Sequence, residues 1–293
     1  MKDRNKPDSA CLLEKVQQRG YRLLFGLLLS VVISLFAYRR RSLSRSGVVG
    51  AIVTGTTTFG MGGWDWGLSL IFFFVSSSML SHFREQEKAV SAADKFSKGS
   101  RRDLGQVAAN GGVATLLALG YGLARTQALR ETLQAGYIGS LATATADTWA
   151  TEIGVLSPQP PRLVTNGKPV SRGTSGGVTL PGTGAAALGA LALGTVFCAL
   201  RRFRTSHPLL PLVGLVSGLV GSFFDSVLGA TLQAMYYCPV CNKETERRIH
   251  RCGTSTVFLR GWPWLNNDVV NFIATLLGGL VGMSIHTGLS RRS

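Results

Sequence analysis

Two short stretches place acids where acids are costly. Asp147 and Glu152 lie in Ala142-Thr143-Ala144-Thr145-Ala146-Asp147-Thr148-Trp149-Ala150-Thr151-Glu152-Ile153-Gly154, and Asp225 lies in Gly221-Ser222-Phe223-Phe224-Asp225-Ser226-Val227-Leu228-Gly229-Ala230. Ionisable groups inside such apolar runs are expensive in hydrocarbon and point to an ion, a proton or a charged substrate. Asp147 is one helical turn from Thr143 and Thr151. At roughly 100° per residue, Asp147 and Glu152 are about 140° apart, so they converge only through an irregular helix or a ligand that reaches both. Gly214, Gly218, Gly221, Asp225 and Gly229 recur at three- and four-residue steps. A small-residue stripe holding one carboxylate faces other helices or a polar cavity rather than lipid. The plainer alternatives are a structural Asp147 bonded to nearby hydroxyls and an Asp225 incidental to tight helix packing.

The stretch Asn166-Gly167-Lys168-Pro169-Val170-Ser171-Arg172-Gly173-Thr174-Ser175-Gly176-Gly177 has the chemistry of an anion cradle. Glycines free backbone N–H groups to surround an anion. Hydroxyls add donors, and Lys168 and Arg172 add charge suited to phosphate. A helix starting near Gly177 would aim its positive end at the same place. The Gly-x4-Gly-Lys-Ser/Thr spacing of a Walker A loop is absent, and a flexible connection is the plainer alternative. Arg102, Asp103, Gln106 and Asn110 open one apolar run, and Asn266, Asn267, Asp268 and Asn271 open another. Both groups are expected at the same membrane edge as the glycine loop, with Asp103 and Asp268 equally readable as N-caps. Cys238-Pro239-Val240-Cys241, followed by His250 and Cys252, has the look of a Cys3His zinc hairpin. Its alternative is a set of reduced cysteines without metal, and any zinc there is expected to be structural.

The elements that must position these residues follow from the apolar pattern. The chain has 293 residues, 31 basic against 15 acidic, with 16% charged and 36 glycines. That charge content is low against about 25% in soluble domains. The basic residues fall between apolar runs rather than on one stripe, which argues for a membrane protein and against a nucleic-acid partner. Eight apolar runs, roughly 21–38, 47–62, 65–82, 105–124, 135–156, 177–200, 208–232 and 268–288, approach the length of a span. The expected fold is an all-α polytopic bundle of about eight spans, because backbone in lipid must satisfy its own hydrogen bonds. The second run is short and glycine-rich, so a break or tilt is expected there. The first is followed by Tyr38-Arg39-Arg40-Arg41 rather than a cleavage site, and reads as a retained span.

The organisation expected is a basic N-terminal segment over 1–20, a membrane domain over 21–288 and a tail over 289–293. Connections 39–46, 83–104, 157–176 and 233–267 share one side and hold 18 of the Lys and Arg residues, leaving 13 elsewhere. The positive-inside rule makes that side cytoplasmic. Trp64, Trp66, Trp262 and Trp264 fit an interfacial belt. Residues 44–62 align without gaps on 171–189, which suggests a parallel internal repeat of spans two to four and six to eight.

Ala146-Asp147-Thr148-Trp149-Ala150-Thr151-Glu152, Thr165-Asn166-Gly167-Lys168 through Gly177, Gly221 to Gln233 and Asn266 to Asn271 together resemble the transmembrane protein 19 and phytyl-phosphate kinase family of integral membrane proteins, of the domain of unknown function 92 type. The Cys238, Cys241 and Cys252 hairpin also looks like that of microbial and plant members. More distantly the family is akin to CTP-using prenol and dolichol kinases. The resemblance implies a membrane-embedded kinase that moves a phosphoryl group from a nucleoside triphosphate, CTP being the expected donor, to an isoprenyl monophosphate of phytyl type. Mg²⁺ would be held among Asp147, Glu152, Asp225 and Asp268. Asp147, Asp225, Lys168 and Arg172 would be the catalytic group, and Asn166, Gly173, Thr174, Ser175, Gly176, Gly177, Asn267 and Asn271 would contact nucleotide and phosphate. The expected partners are the bilayer, the prenyl phosphate and the nucleotide, and the expected location is a bacterial inner membrane with the site facing the cytoplasm. A transporter or flippase for an anionic solute, a lipid-phosphate nucleotidyltransferase and a non-catalytic membrane scaffold are the competing readings.

Overall fold

The computed structural model describes residues 9–92, 101–201 and 209–290. Expectations for 1–8, for 93–100 of the first long connection and for 291–293 fall outside the described residues. Each apolar run becomes one helix. They are α1 (Ser9–Arg39), α2 (Arg45–Thr57), α3 (Trp64–His82), α5 (Leu104–Leu123), α6 (Gln127–Gly154), α7 (Leu180–Arg201), α8 (Leu210–Thr231) and α9 (Asn267–Ser290), with a short α4 (Glu85–Ala92) in the connection after α3. The break expected in the second run is a π turn, Thr58–Gly62, that continues α2. Among the described residues, four helices are long and apolar enough to cross a membrane by themselves: Gln17–Arg39 of α1, and α7, α8 and α9. α2 has 13 residues, and in α6 Gln134, Ser140, Thr143 and Thr145 are buried by other helices.

α6 is the axis. It is buried without a break from Gln134 to Ala146, because glycines on its neighbours let their backbones come close. A Cβ on Gly278 of α9 would collide with the Thr143 hydroxyl and the Gly139 carbonyl, and one on Gly221 of α8 would collide with Thr143. Thr143 Oγ1 donates to Gly139 O at 2.9 Å and lies 3.1 Å from Ser217 O, bonding α6 to α8. The small-residue stripe on α8 behaves as its spacing predicts. Gly214 meets α7, Gly218 meets α7 and α6, Gly221 meets α6, and Gly229 meets Ser175 of the glycine loop. Gly278→Leu should therefore cost about 3 kcal/mol through overpacking. Gly184→Leu, where a side chain meets open space, should stay within about 0.5 kcal/mol. Thermal unfolding followed by size-exclusion chromatography reads both.

Two expectations are corrected and one is refined. Trp66 is not interfacial: it is fully buried, 4.1 Å from the Tyr137 ring and 4.6 Å from Tyr121, centroid to centroid. The all-α reading holds for the bundle, and five short strands are added in its connections. β1 (Arg162–Leu163) pairs with β2 (Gly177–Val178), and β3 (Met235–Cys238) pairs with both β4 (Lys243–Thr245) and β5 (Val257–Arg260), all antiparallel. The suggested repeat is not carried into local structure. Ser44 caps a helix that begins at Arg45, whereas its aligned partner Ser171 sits in a turn and the helix begins only at Leu180.

Candidate active site

The helix ends joined by connections 83–104, 157–176 and 233–267 enclose a cavity of about 560 Å³. Its wall is built from the end of α3 and the start of α4 (Ser81, Glu85, Lys88), the start of α5 (Arg102, Gln106, Asn110) and the last two turns of α6 (Asp147 to Val155). The glycine loop (Arg172 to Gly177), the starts of α7 and α9, the outer half of α8 (Ser222, Asp225, Ser226) and Glu246 and Arg251 of the β4–β5 region complete it. Residues expected at one membrane edge therefore do meet. The first connection joins the same end: Leu43 bridges Arg102, and Ser44 N donates to Arg102 O at 2.8 Å.

Asp147 and Asp225 come from facing helices. Ser222 lies in hydrogen-bonding range of the Asp147 carboxylate. Asp225 lies within electrostatic reach of both Asp147 and Glu246, and its Oδ2 is buried with no hydrogen-bond partner. Like charges gathered around an unpartnered carboxylate oxygen are a donor set that fits a divalent cation.

Glu152 departs from the expected metal set. Its Oε1 accepts from Ser81 Oγ and its Oε2 from Lys88 Nζ, both at 2.6 Å. Lys88 also donates to Leu80 O at the end of α3. Burial pushes the Arg102 guanidinium below its ordinary range, and Glu152 opposes that shift. Glu152 thus belongs to the cationic wall, as its angular separation from Asp147 on a regular helix requires. Asp268, unlike Glu152, does not line the cavity. It occupies the first turn of α9, where an acid favours the helix N-terminus, and Asn266 Oδ1 accepts from Val269 N at 3.1 Å as the cap.

The glycine loop is shaped as a cradle, with corrections at its ends. Gly173 and Gly176 take positive φ of 76° and 78°. At Gly176 a Cβ would also run into Ala230 of α8, so only glycine lets the loop lie on that helix. Ser175 Oγ donates to Gln233 Oε1 at 2.8 Å, and Gln233 Nε2 donates to Glu246 Oε1 at 2.9 Å. Arg172 lines the cavity while its Nη2 donates to Ser157 O and Pro158 O at 2.8 and 3.2 Å. Asn166 and Lys168 do not reach the cavity. They form the exposed turn after β1, where Lys168 N donates to Asn166 Oδ1 at 3.0 Å. Gly177 is strand, and α7 begins three residues later, its Gly182 N capped by Thr179 Oγ1 at 3.1 Å.

Three helix N-termini, those of α5, α7 and α9, open on this cavity. Asp103 is the N-cap of α5 in a reciprocal capping box with Gln106, confirming the plainer reading of that acid. Asn267 and Asn271 of α9 do line the wall. Aligned helix N-termini carry partial positive charge and attract anions. One side of the cavity therefore gathers Asp147 and Asp225, and the rest offers cations, side-chain amides and helix N-termini. Sequence reasoning missed Ser81, Lys88, Ser222, Gln233 and Glu246 as members of the site. No spacing rule links Lys88 to Glu152 across 64 positions.

The sulfur hairpin is a separate centre. The ligand atoms of Cys238, Cys241, His250 and Cys252 all lie within 4.8 Å of one another. Cys238 Sγ and Cys252 Sγ are 3.7 Å apart, and His250 Nδ1 is 3.1 Å from Cys252 Sγ. Two sulfurs about 2.3 Å from a tetrahedral zinc would be about 3.8 Å apart, so the four residues fit zinc. Thr254 and then His250 hold the Cys252 thiol down to about 6.

The chain matches the family described as integral membrane protein DUF92 over residues 28–279. It is 34% identical over 279 residues to Protein PGR of Arabidopsis thaliana, covering 88% of this chain and 93% of that protein. It is 30% identical over 268 residues to an uncharacterized membrane protein of Methanocaldococcus jannaschii, covering 92% and 96%. Protein VTE6, chloroplastic, of Arabidopsis thaliana is 29% identical over 244 residues, covering 82% and 64%. No solved structure matches. Relatives in a plant and an archaeon leave a bacterial inner membrane without support as the location. The fold and these matches agree: the chain belongs to the DUF92 family of integral membrane proteins.

Proposed function

We propose that this chain is a membrane-embedded kinase that transfers a phosphoryl group from a nucleoside triphosphate to an isoprenyl monophosphate, giving the diphosphate. The observation that carries this is the meeting of Asp147 and Asp225 with the glycine loop and three helix N-termini around one cavity. Both reactants are anions, so catalysis is mainly positioning and charge neutralisation. An oxygen of the acceptor phosphate attacks the γ-phosphorus, the bond to the β–γ bridging oxygen breaks, and a nucleoside diphosphate leaves. The acceptor oxygen is already ionised, so no strong general base is needed. Asp147 and Asp225 would hold Mg²⁺, which supplies charge for the triphosphate when bound. Arg172, the turn through Gly173, Ser175 and Gly176 and the start of α7 cradle phosphate. Asn267 and Asn271 supply amide contacts to the nucleotide. CTP as donor follows from the family resemblance. The positive-inside rule favours a cavity mouth on the cytoplasmic side, where nucleotide is available.

The test supplies Mg²⁺, labelled CTP or ATP, and phytyl, geranylgeranyl or farnesyl monophosphate to the chain in nanodiscs. Label in a prenyl diphosphate is the expected result. Release of pyrophosphate would turn the reading to nucleotidyl transfer. Folded chain that neither binds nor turns over nucleotide would favour an anion transporter or a scaffold.

Cys238, Cys241, His250 and Cys252 hold a structural zinc in this reading, fastening the last connection. Elemental analysis should give one zinc per chain, and Cys238→Ser should remove it. Absence of zinc from chain purified without chelator would overturn this assignment.

A further inference from the structure

A second cavity, of about 90 Å³, lies between α1, α2, α3 and the start of α5. Its wall is apolar, with Ile33, Ala51, Leu70, Ile71 and Phe74 among its members. It meets the polar cavity along one stripe: Arg102, Gln106 and Asn110 line both. These three are spaced by four residues, and so share one face of the chain entering α5. The Arg102 guanidinium lies 6.0 and 5.8 Å from the ring centroids of Phe73 and Phe74. The one hydrogen bond it makes among the described residues is a long one, 3.4 Å to Ser78 Oγ. Its backbone is pinned from both sides, Arg102 N donating to Ser42 O at 3.0 Å and Arg102 O accepting from Ser44 N at 2.8 Å. A cation held in place at the seam between a polar and an apolar space matches a molecule with a phosphate head and a hydrocarbon tail.

We infer that the apolar cleft receives the head-proximal hydrocarbon segment of the lipid phosphate, whose phosphate binds at Arg102. This rests on the proposed reading that the acceptor is a lipid phosphate, and it names which helices hold the tail. The cleft is too small for a whole polyprenyl chain. The remainder leaves along α1, whose Leu24, Leu28, Val32 and Leu35 are exposed. The nucleotide then enters from the glycine-loop side, so the two reactants approach the acids from opposite walls.

The test needs no turnover. A geranyl monophosphate carrying a diazirine on its first isoprene unit is photolysed with the wild-type chain in phosphatidylcholine nanodiscs, without nucleotide, and the adducts are mapped by mass spectrometry. Adducts on α2, α3 or the start of α5, reduced at least tenfold when the probe lacks its phosphate, are expected. Adducts on α7 or α8, or equal labelling by the phosphate-free probe, would overturn the inference. Ala51→Phe should weaken geranyl phosphate binding at least tenfold and leave CTP binding unchanged; equal weakening of both ligands would also overturn it. Cleft labelling together with no diphosphate product would sink the kinase reading alone.

Discussion

Asp225→Asn and Asp147→Asn should each lower diphosphate formation by about 10²–10³-fold, the usual scale for losing one preorganised electrostatic contact at a phosphoryl centre. Both variants should also be at least as stable as the wild type. Asp225 has a buried oxygen without a partner and two like charges within reach. An amide removes that repulsion, and relief of this kind commonly gives about 0.5–2 kcal/mol. Initial rates and thermal midpoints, measured on the same preparations, separate this outcome from its rivals. A scaffold would keep its properties in both variants, and a purely structural Asp would lose stability along with rate. Unchanged turnover in either variant removes that acid from the mechanism.

Glu152→Gln should behave in the opposite way. The Lys88–Glu152 pair is mostly buried, with side chains 11% and 21% exposed, and it joins α4 to the end of α6. Removing one partner of such a pair leaves the other charge uncompensated, at a cost of about 3 kcal/mol. Arg102 stands close by and would lose the acid that opposes the effect of its burial. The double variant Lys88→Met with Glu152→Gln should recover most of the lost stability, because it removes the stranded charge as well. Equilibrium unfolding of the two single variants and the double variant gives the coupling energy directly. If Glu152→Gln instead kept full stability and lost Mg²⁺-dependent rate, Glu152 would return to the metal set.

The contrast between these acids shows how far residue types carry a prediction. The eight helices were legible because apolar runs of span length have few other uses. The α8 stripe was legible because glycines at three- and four-residue steps mean close helix contact. Asp147 and Asp225 were legible because a carboxylate inside such a run needs a reason. Their meeting was not, since helix rotation about the bundle axis is set by packing, and no local pattern records it. Glu152 looked like Asp147 on paper; its cation lies in a charged connection that reads as a solvated loop. Lys168 looked like a phosphate ligand because Gly and Lys recur in phosphate loops, yet its exposed turn does not line the cavity. Trp66 looked interfacial by composition and proved to be core, because Tyr121, Tyr137 and Phe197 surround it. Strands β3 to β5 escaped notice because runs of three and four residues are too short to show apolar alternation.

The central place of α6 has a consequence for how the chain is made. Helices emerge from the ribosome in order, and domains tend to assemble from the N-terminus onward. α6 is covered on one side by α9, whose Gly278 and Gly282 close on Gly139 and Ala135. While α9 is still unmade, that face of α6 has no protein neighbour, and Asp147 and Asp225 lack the cavity wall supplied by Asn267 and Asn271. Biosynthesis must therefore shelter a half-built polar interior inside the bilayer until the last helix arrives. A chain released early, after α8, would be a substrate for quality control rather than a partly working protein.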